Sequence, residues 1–109
     1  MDRKAIIEKV KKYSNLVTME KLPVKYVVLY GSYAYGTPRI DSDIDVAVVV
    51  NRISNNVLKW ETRLFKLSRD IDAKIEPVLI EIRNDKSGFL SEIMKKGKII
   101  YTTGKGLKV

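Results

Sequence analysis

The sequence predicts a small α/β (α+β) domain, one mixed β-sheet flanked by helices. Two runs of near-continuous β-branched and aromatic residues, "KYVVLY" at 25–30 and "IDVAVVV" at 44–50, read as strands buried on both faces. Segments with apolar residues at helical spacing stand before the first run and after the second. A third apolar run, "IEPVLIEI" at 75–82, follows the second helical segment. The second and third strands are therefore joined through a helix, which favours a parallel crossover.

Taken in order, Asp2 to about Met19 carries Ile6, Val10, Tyr13 and Val17 on one stripe, flanked by Ile7 and Leu16, with lysines opposite. Pro23 punctuates before the first strand. Ser54 or Asn55 is placed to cap a helix running to about Ile71, whose stripe is Val57, Trp60, Leu64, Leu67 and Ile71. Pro77 argues that the third strand lies at an edge or carries a bulge. Phe89 to Lys96 reads as a short helix stopped by Gly97 in the position of a C-cap. Lys98 to Tyr101 adds a last strand, and "TTGKGLKV" reads as a loose tail. It lacks the spacing of a Walker loop.

At 109 residues the chain is expected to form one domain, 1–109. No apolar run approaches the roughly 20 residues that span a bilayer, and the N-terminus does not continue into a signal-peptide core. The expectation is a cytoplasmic protein with no membrane association. Cysteine and histidine are both absent. That excludes disulfides, thiol chemistry, thiolate or imidazole metal sites, and the commonest general base. Any catalysis rests on carboxylates, Lys, Tyr, Ser or a hard, oxygen-bound metal. The net charge of +8 suits a polyanionic partner or a plain lysine-rich surface. No block of five or more basic residues marks nucleic-acid binding.

Asp43 and Asp45 stand two apart at the start of the second strand, so both carboxylates point to one face, with Cα atoms about 6–7 Å apart. They are either ordinary turn and strand-entry acids or ligands of a cation such as Mg²⁺ that relieves their repulsion. Glu76, second in the next strand, completes a three-carboxylate cluster if the two strands are neighbours. Gly31 ends the first strand and lets the backbone approach a ligand closely. The Ser32 hydroxyl and nearby backbone N–H groups suit phosphate oxygens, and Gly36 supplies a second flexible point. A phosphate-binding turn and a dication-binding pair at adjacent strand ends are what a nucleoside triphosphate with Mg²⁺ needs.

The whole stretch "GSYAYGTPRIDSDIDVAVVV", 31–50, resembles the signature of the nucleotidyltransferase superfamily with a DNA polymerase β type of palm core. Within it, the sequence is most similar to the minimal nucleotidyltransferases, through Gly31, Ser32, Gly36, Ser42, Asp43, Ile44 and Asp45. The likeness extends over the leading helix, the helix after the second strand and the closing "IMKKGKIIY". It implies that Gly31 and Ser32, with Gly36 and Ser42, hold the phosphates of ATP. It also implies that Asp43, Asp45 and Glu76 bind two Mg²⁺ ions, Glu76 serving the catalytic ion or taking the proton of the attacking hydroxyl. The third acid is often aspartate in such proteins, and here it is glutamate, one methylene longer. Arg39 neutralises phosphate charge or is a solvated loop arginine. Tyr33 and Tyr35 pack the turn, or stack on a base or a partner.

The resemblance further implies a partner. A core alone offers little surface to choose a nucleophile, so the acceptor site is expected to be completed by a second polypeptide or a homodimer. Minimal nucleotidyltransferases pair with helical HEPN-type proteins as toxin–antitoxin systems and transfer AMP from ATP to a tyrosine of the toxin. The alternative is an antitoxin of little turnover that neutralises a helical partner by binding it.

Overall fold

In a computed structural model of the chain, the residues described are 2–36, 38–39, 41–53, 56–85 and 87–107. The elements are α1 (Arg3–Thr18), β1 (Val24–Tyr30), α2 (Ser32–Tyr35), β2 (Ile44–Val50), α3 (Val57–Arg69), β3 (Ile75–Glu81), a 3₁₀ turn (Ile82–Asn84), α4 (Phe89–Lys96), β4 (Lys98–Thr102) and β5 (Gly106–Leu107). They form a sheet in the order β3-β2-β1-β4-β5. β2 and β3 are parallel and the other pairings antiparallel, so the sheet is mixed and the crossover through α3 is the expected one. Pro77 sits on the edge strand β3, where a missing N–H leaves no ladder bond to a further strand.

Strand alternation divides the core in two. Residues of one parity (Val27 and Leu29 of β1; Val46, Val48 and Val50 of β2; Ile75 of β3) pack with Ile6, Val10, Tyr13 and Val17 of α1 and with Leu64 and Leu67 of α3. The four α1 residues are wholly buried, each contributing about 1.5–3 kcal/mol of apolar burial. The Tyr13 hydroxyl donates to the Leu64 carbonyl at 2.8 Å, tying α1 to α3 inside the core. Residues of the other parity (Val28, Ala47, Val49 and Ile80) pack under Ile93 of α4. Among the described residues, the helix on this second face is α4, eight residues long, which leaves the ends of the face accessible. Asp45, Glu76 and Tyr30 share that parity.

Two details differ from expectation, at 102–107 and at the α3 cap, while Gly97 stands in its expected C-cap position with a further cause. The segment 102–107 is not a loose tail. β5 pairs with β4 through Tyr101↔Leu107 and Thr102↔Gly106, and the Thr103 amide donates to the Lys25 carbonyl at 2.9 Å. Gly104 (φ 83°) and Gly106 (φ 68°) make the reversal possible, so the two glycines are turn chemistry. Gly97 does follow α4 and donates to Ile93 O at 2.7 Å, but it is extended rather than left-handed. A Cβ there would meet Ile93 O at 2.5 Å and Leu29 O at 2.8 Å, so the glycine is required by closeness both to the last turn of α4 and to β1. The α3 cap expected at Ser54 or Asn55 lies outside the described residues; Asn56, at φ 60°, occupies the N-cap position. Among the described residues no helix is long and apolar enough to cross a membrane.

Candidate active site

The register places three acids at one end of the sheet. Asp45 is the second residue of β2 and pairs with Tyr30 of β1 on one side and Glu76 of β3 on the other. Asp43 lies on the approach to β2, exposed and two residues from Asp45. The Asp45 carboxyl is pushed up, first by burial and then by the negative charges of Asp43 and Glu76. The proximity expected of the three acids is therefore present. They are not gathered round one point: among the described residues no group of three acids stands ready to hold a metal ion. Glu76 instead directs its Oε1 toward the Arg69 guanidinium at 3.7 Å.

Gly31 belongs to the same arrangement. Its φ of 74° and ψ of −157° form a conformation that only glycine adopts freely. A Cβ on it would stand 2.1 Å from Asp45 Oδ2 and 3.0 Å from its Cγ. The Gly-Ser bend therefore packs directly against the Asp45 carboxylate, with no room for a side chain between them. Its carbonyl accepts from the amides of Ala34 and Tyr35 at 3.1 and 3.0 Å, which folds 32–35 into the single turn of α2. Gly36 closes that turn in the left-handed region at φ 79°, its amide bonded to Ser32 O. Tyr33 is buried in the core and Tyr35 is exposed beside the site, so packing takes the first tyrosine and leaves the second on the surface.

Ser42, expected to contact phosphate, lies in the turn before Asp43. Its Oγ accepts from the Arg39 amide at 2.7 Å, and its own amide donates to Arg39 O at 3.1 Å. The hydroxyl thus shapes the turn that delivers Asp43. Arg39 is exposed on this loop.

Two neighbours of the acids carried no sequence signal of their own. Tyr30, half-buried opposite Asp45, has its phenol pushed up to about 12 by burial and by the charges of Asp45 and Tyr35. Only the antiparallel pairing of β1 with β2 reveals its place. Arg69 ends α3 and reads as an ordinary basic residue at a helix C-terminus. It stacks on the Phe65 ring at 4.2 Å, donates to Ala73 O, and donates to Ile75 O at 2.7 Å. It thereby clasps the turn into β3 beside Glu76.

The donor set is all oxygen and mutually repulsive, which fits a hard dication. Asp45, partly buried beside two like charges, is disfavoured in its ionised form, a cost that a bound cation would relieve.

Comparison with known proteins decides the family. The sequence profile of the polymerase β nucleotidyltransferases matches residues 6–105, nearly the whole chain. The chain belongs to that family. The protein adenylyltransferase MntA of Shewanella oneidensis is 29% identical over 80 residues, 73% of this nucleotidyltransferase chain. The match covers 55% of MntA, so the chain spans about half the length of that relative. The fold superposes on a crystal structure of a nucleotidyltransferase from Sulfolobus solfataricus with a TM-score of 0.73 at 19% identity, over 98% of this chain and 89% of that one. It also superposes on a chain of a crystal structure of a mutant of the toxin–antitoxin MntA–HpeT, with a TM-score of 0.61 at 26% identity, over 85% of this chain and 72% of that one.

Proposed function

We propose that this chain is a Mg²⁺-dependent adenylyltransferase of the cytoplasm. It moves AMP from ATP onto a tyrosine hydroxyl of a HEPN-type helical toxin and thereby acts as its antitoxin. The observation that carries the reading is the interlock of Gly31 with Asp45. One bend and one carboxylate are pressed together at the end of the sheet, where a triphosphate and its cation would lie side by side. The likeness to MntA supports AMP as the group moved and a toxin as the acceptor.

Asp43, Asp45 and Glu76 would hold two Mg²⁺ ions. Bound there, Mg²⁺ supplies a sharper nucleophile and charge stabilisation at the phosphates. Gly31 and Ser32 would present backbone N–H groups and a hydroxyl to the β- and γ-phosphates, Gly36 would close the turn that shapes them, and Ser42 would keep the Asp43 loop in place. The tyrosine oxygen forms the new bond to the α-phosphorus, the bond to the bridging oxygen breaks, and pyrophosphate leaves. The proton of the tyrosine hydroxyl passes to a Glu76 carboxylate oxygen and on to water, to which that half-exposed side chain is open.

Binding without turnover is the second reading, favoured by the Glu76–Arg69 contact, which engages one oxygen of the third acid with a cation of the protein itself. The test incubates the chain with α-labelled ATP, Mg²⁺ and a HEPN-type toxin encoded beside it. Label on the toxin, lost in both Asp43→Asn and Asp45→Asn, is the expected result. Tight complex formation with no label in any form would overturn the enzymatic reading in favour of the second.

A further inference from the structure

A groove of about 1040 Å³ lies between the end of α1 and the first turns of α3, away from the carboxylates. It sits toward the end of the sheet where Val24 pairs with Val50, whereas Tyr30 pairs with Asp45 at the other end, about 20 Å along the strands. Its apolar side chains are out of place on a free surface. Met19 is 81% exposed and Leu58 75% exposed, with Trp60, packed on the core cluster, beside them. Leu58, Thr62 and Lys66 form one row on α3, Lys59 and Arg63 the next, so the groove has an apolar centre and a basic margin.

The margin is one-sided in charge. Lys21, Lys59, Arg63 and Lys66 line the groove with a single acid, Glu20. That acid is already held by Arg63, with Nε–Oε1 at 2.8 Å and Nη2–Oε2 at 3.2 Å. Among the described residues no carboxylate lies within ion-pair distance of Lys21, Lys59 or Lys66. An occupant must therefore bring apolar groups to the centre and negative charge to both flanks. A second copy of this chain is poorly suited, because α1 and α3 carry more cations than acids and α4 carries Lys95 and Lys96 against Glu92. Nucleic acid would satisfy the lysines but leave Met19 and Leu58 in water.

We propose that this groove docks an acidic amphipathic helix of a partner protein, with its apolar stripe on Met19, Leu58 and Trp60 and its carboxylates on Lys21, Lys59 and Lys66. A helix laid in such a groove uses anchors at one face and charge for orientation and on-rate. Held there, the partner leaves the Asp43–Asp45 end of the sheet open, so docking and reaction occupy separate surfaces.

The test titrates the full chain into a fluorescein-labelled peptide of about 18 residues, with Leu at helical spacing and Glu on the flanks, read by anisotropy. Neither nucleotide nor metal is present, so failure of transfer and failure of docking are read separately. Saturable binding is expected, weakened roughly tenfold by Leu58→Ser and by the pair Lys59→Glu and Lys66→Glu. The pair Lys4→Glu and Lys12→Glu makes the same charge change outside the groove and is expected to leave binding intact, with circular dichroism confirming each fold. No binding to the native chain overturns the proposal, as does equal weakening by both lysine pairs. It is also overturned if a DNA duplex of about 20 base pairs displaces the peptide by binding that Leu58→Ser does not change. A dimer in sedimentation that Leu58→Ser dissolves overturns it in favour of a second copy.

Discussion

Gly31 carries the strongest constraint on any single residue. Two demands meet there, a left-handed φ and an Asp45 oxygen 2.1 Å from where a Cβ would stand. Gly31→Ala must therefore move the bend or the carboxylate. We expect a stability cost of about 1–3 kcal/mol from backbone strain, read by thermal melts. We also expect AMP transfer to fall at least roughly 100-fold, because displacing a reacting group by about 1 Å is enough for that. Transfer close to native would mean that the contact is only packing. Asp45 gives a prediction of opposite sign. Its folded pKa is raised, so the carboxyl favours folding while protonated, and that stability is lost as pH rises through the folded value. At neutral pH the native chain carries the cost of the charge. Asp45→Asn is expected to raise Tm at pH 7, the gain shrinking as pH falls through the raised folded value and the native side chain itself becomes neutral. A lower Tm at pH 7 would contradict the electrostatic account of the site.

Among the elements, most of the fold was legible because period and punctuation agree. The α1 stripe of Ile6, Val10, Tyr13 and Val17 is wholly buried, β2 spans Ile44–Val50 and α4 spans Phe89–Lys96, all as expected. The β2–β3 crossover and the edge place of Pro77 also follow from chain order and proline chemistry. What escaped was long-range. Whether 102–107 turns back depends on Lys25 offering its carbonyl to Thr103, a pairing 78 positions apart that no local pattern encodes. Gly97 has the same character. Its position reads as helix-end chemistry, and Ile93 O does crowd it, while the approach of Leu29 O and Val28 from β1 is the part no local pattern shows. Gly97→Ala is expected to destabilise by about 1–3 kcal/mol, as overpacking does, with little effect on nucleotide binding. Calorimetric melting checks this, and an unchanged Tm would mean that the α4–β4 junction yields easily. The site divides the same way. Gly31, Asp43, Asp45 and Glu76 stand near one another as expected from strand parity and adjacency. Ser42's turn bond, Tyr30 and the Arg69 contact to Glu76 required the register and the path of α3.

Across the whole molecule, the two ends of one small sheet are furnished differently. One end gathers acids on a chain whose net charge is +8, so the local field there opposes the global one. On the proposed function, the global charge would draw nucleotide and acidic partners toward the molecule, while the acids would select the cation that accompanies the phosphates. The other end offers an apolar groove with a basic margin. The uneven covering of the sheet makes this division possible. α1 and α3 fill one face, and short α4 leaves the acid-bearing end of the other accessible. On the proposed function, Asp43 and Asp45, set against the Gly31 bend, bind a dication and a triphosphate as one unit. Calorimetric titration of Mg²⁺ with a non-hydrolysable ATP analogue tests it most directly. The account predicts that analogue binding requires Mg²⁺ and is lost in both Asp43→Asn and Asp45→Asn while each variant stays folded. Equal affinity with and without the ion, or in either variant, would contradict it.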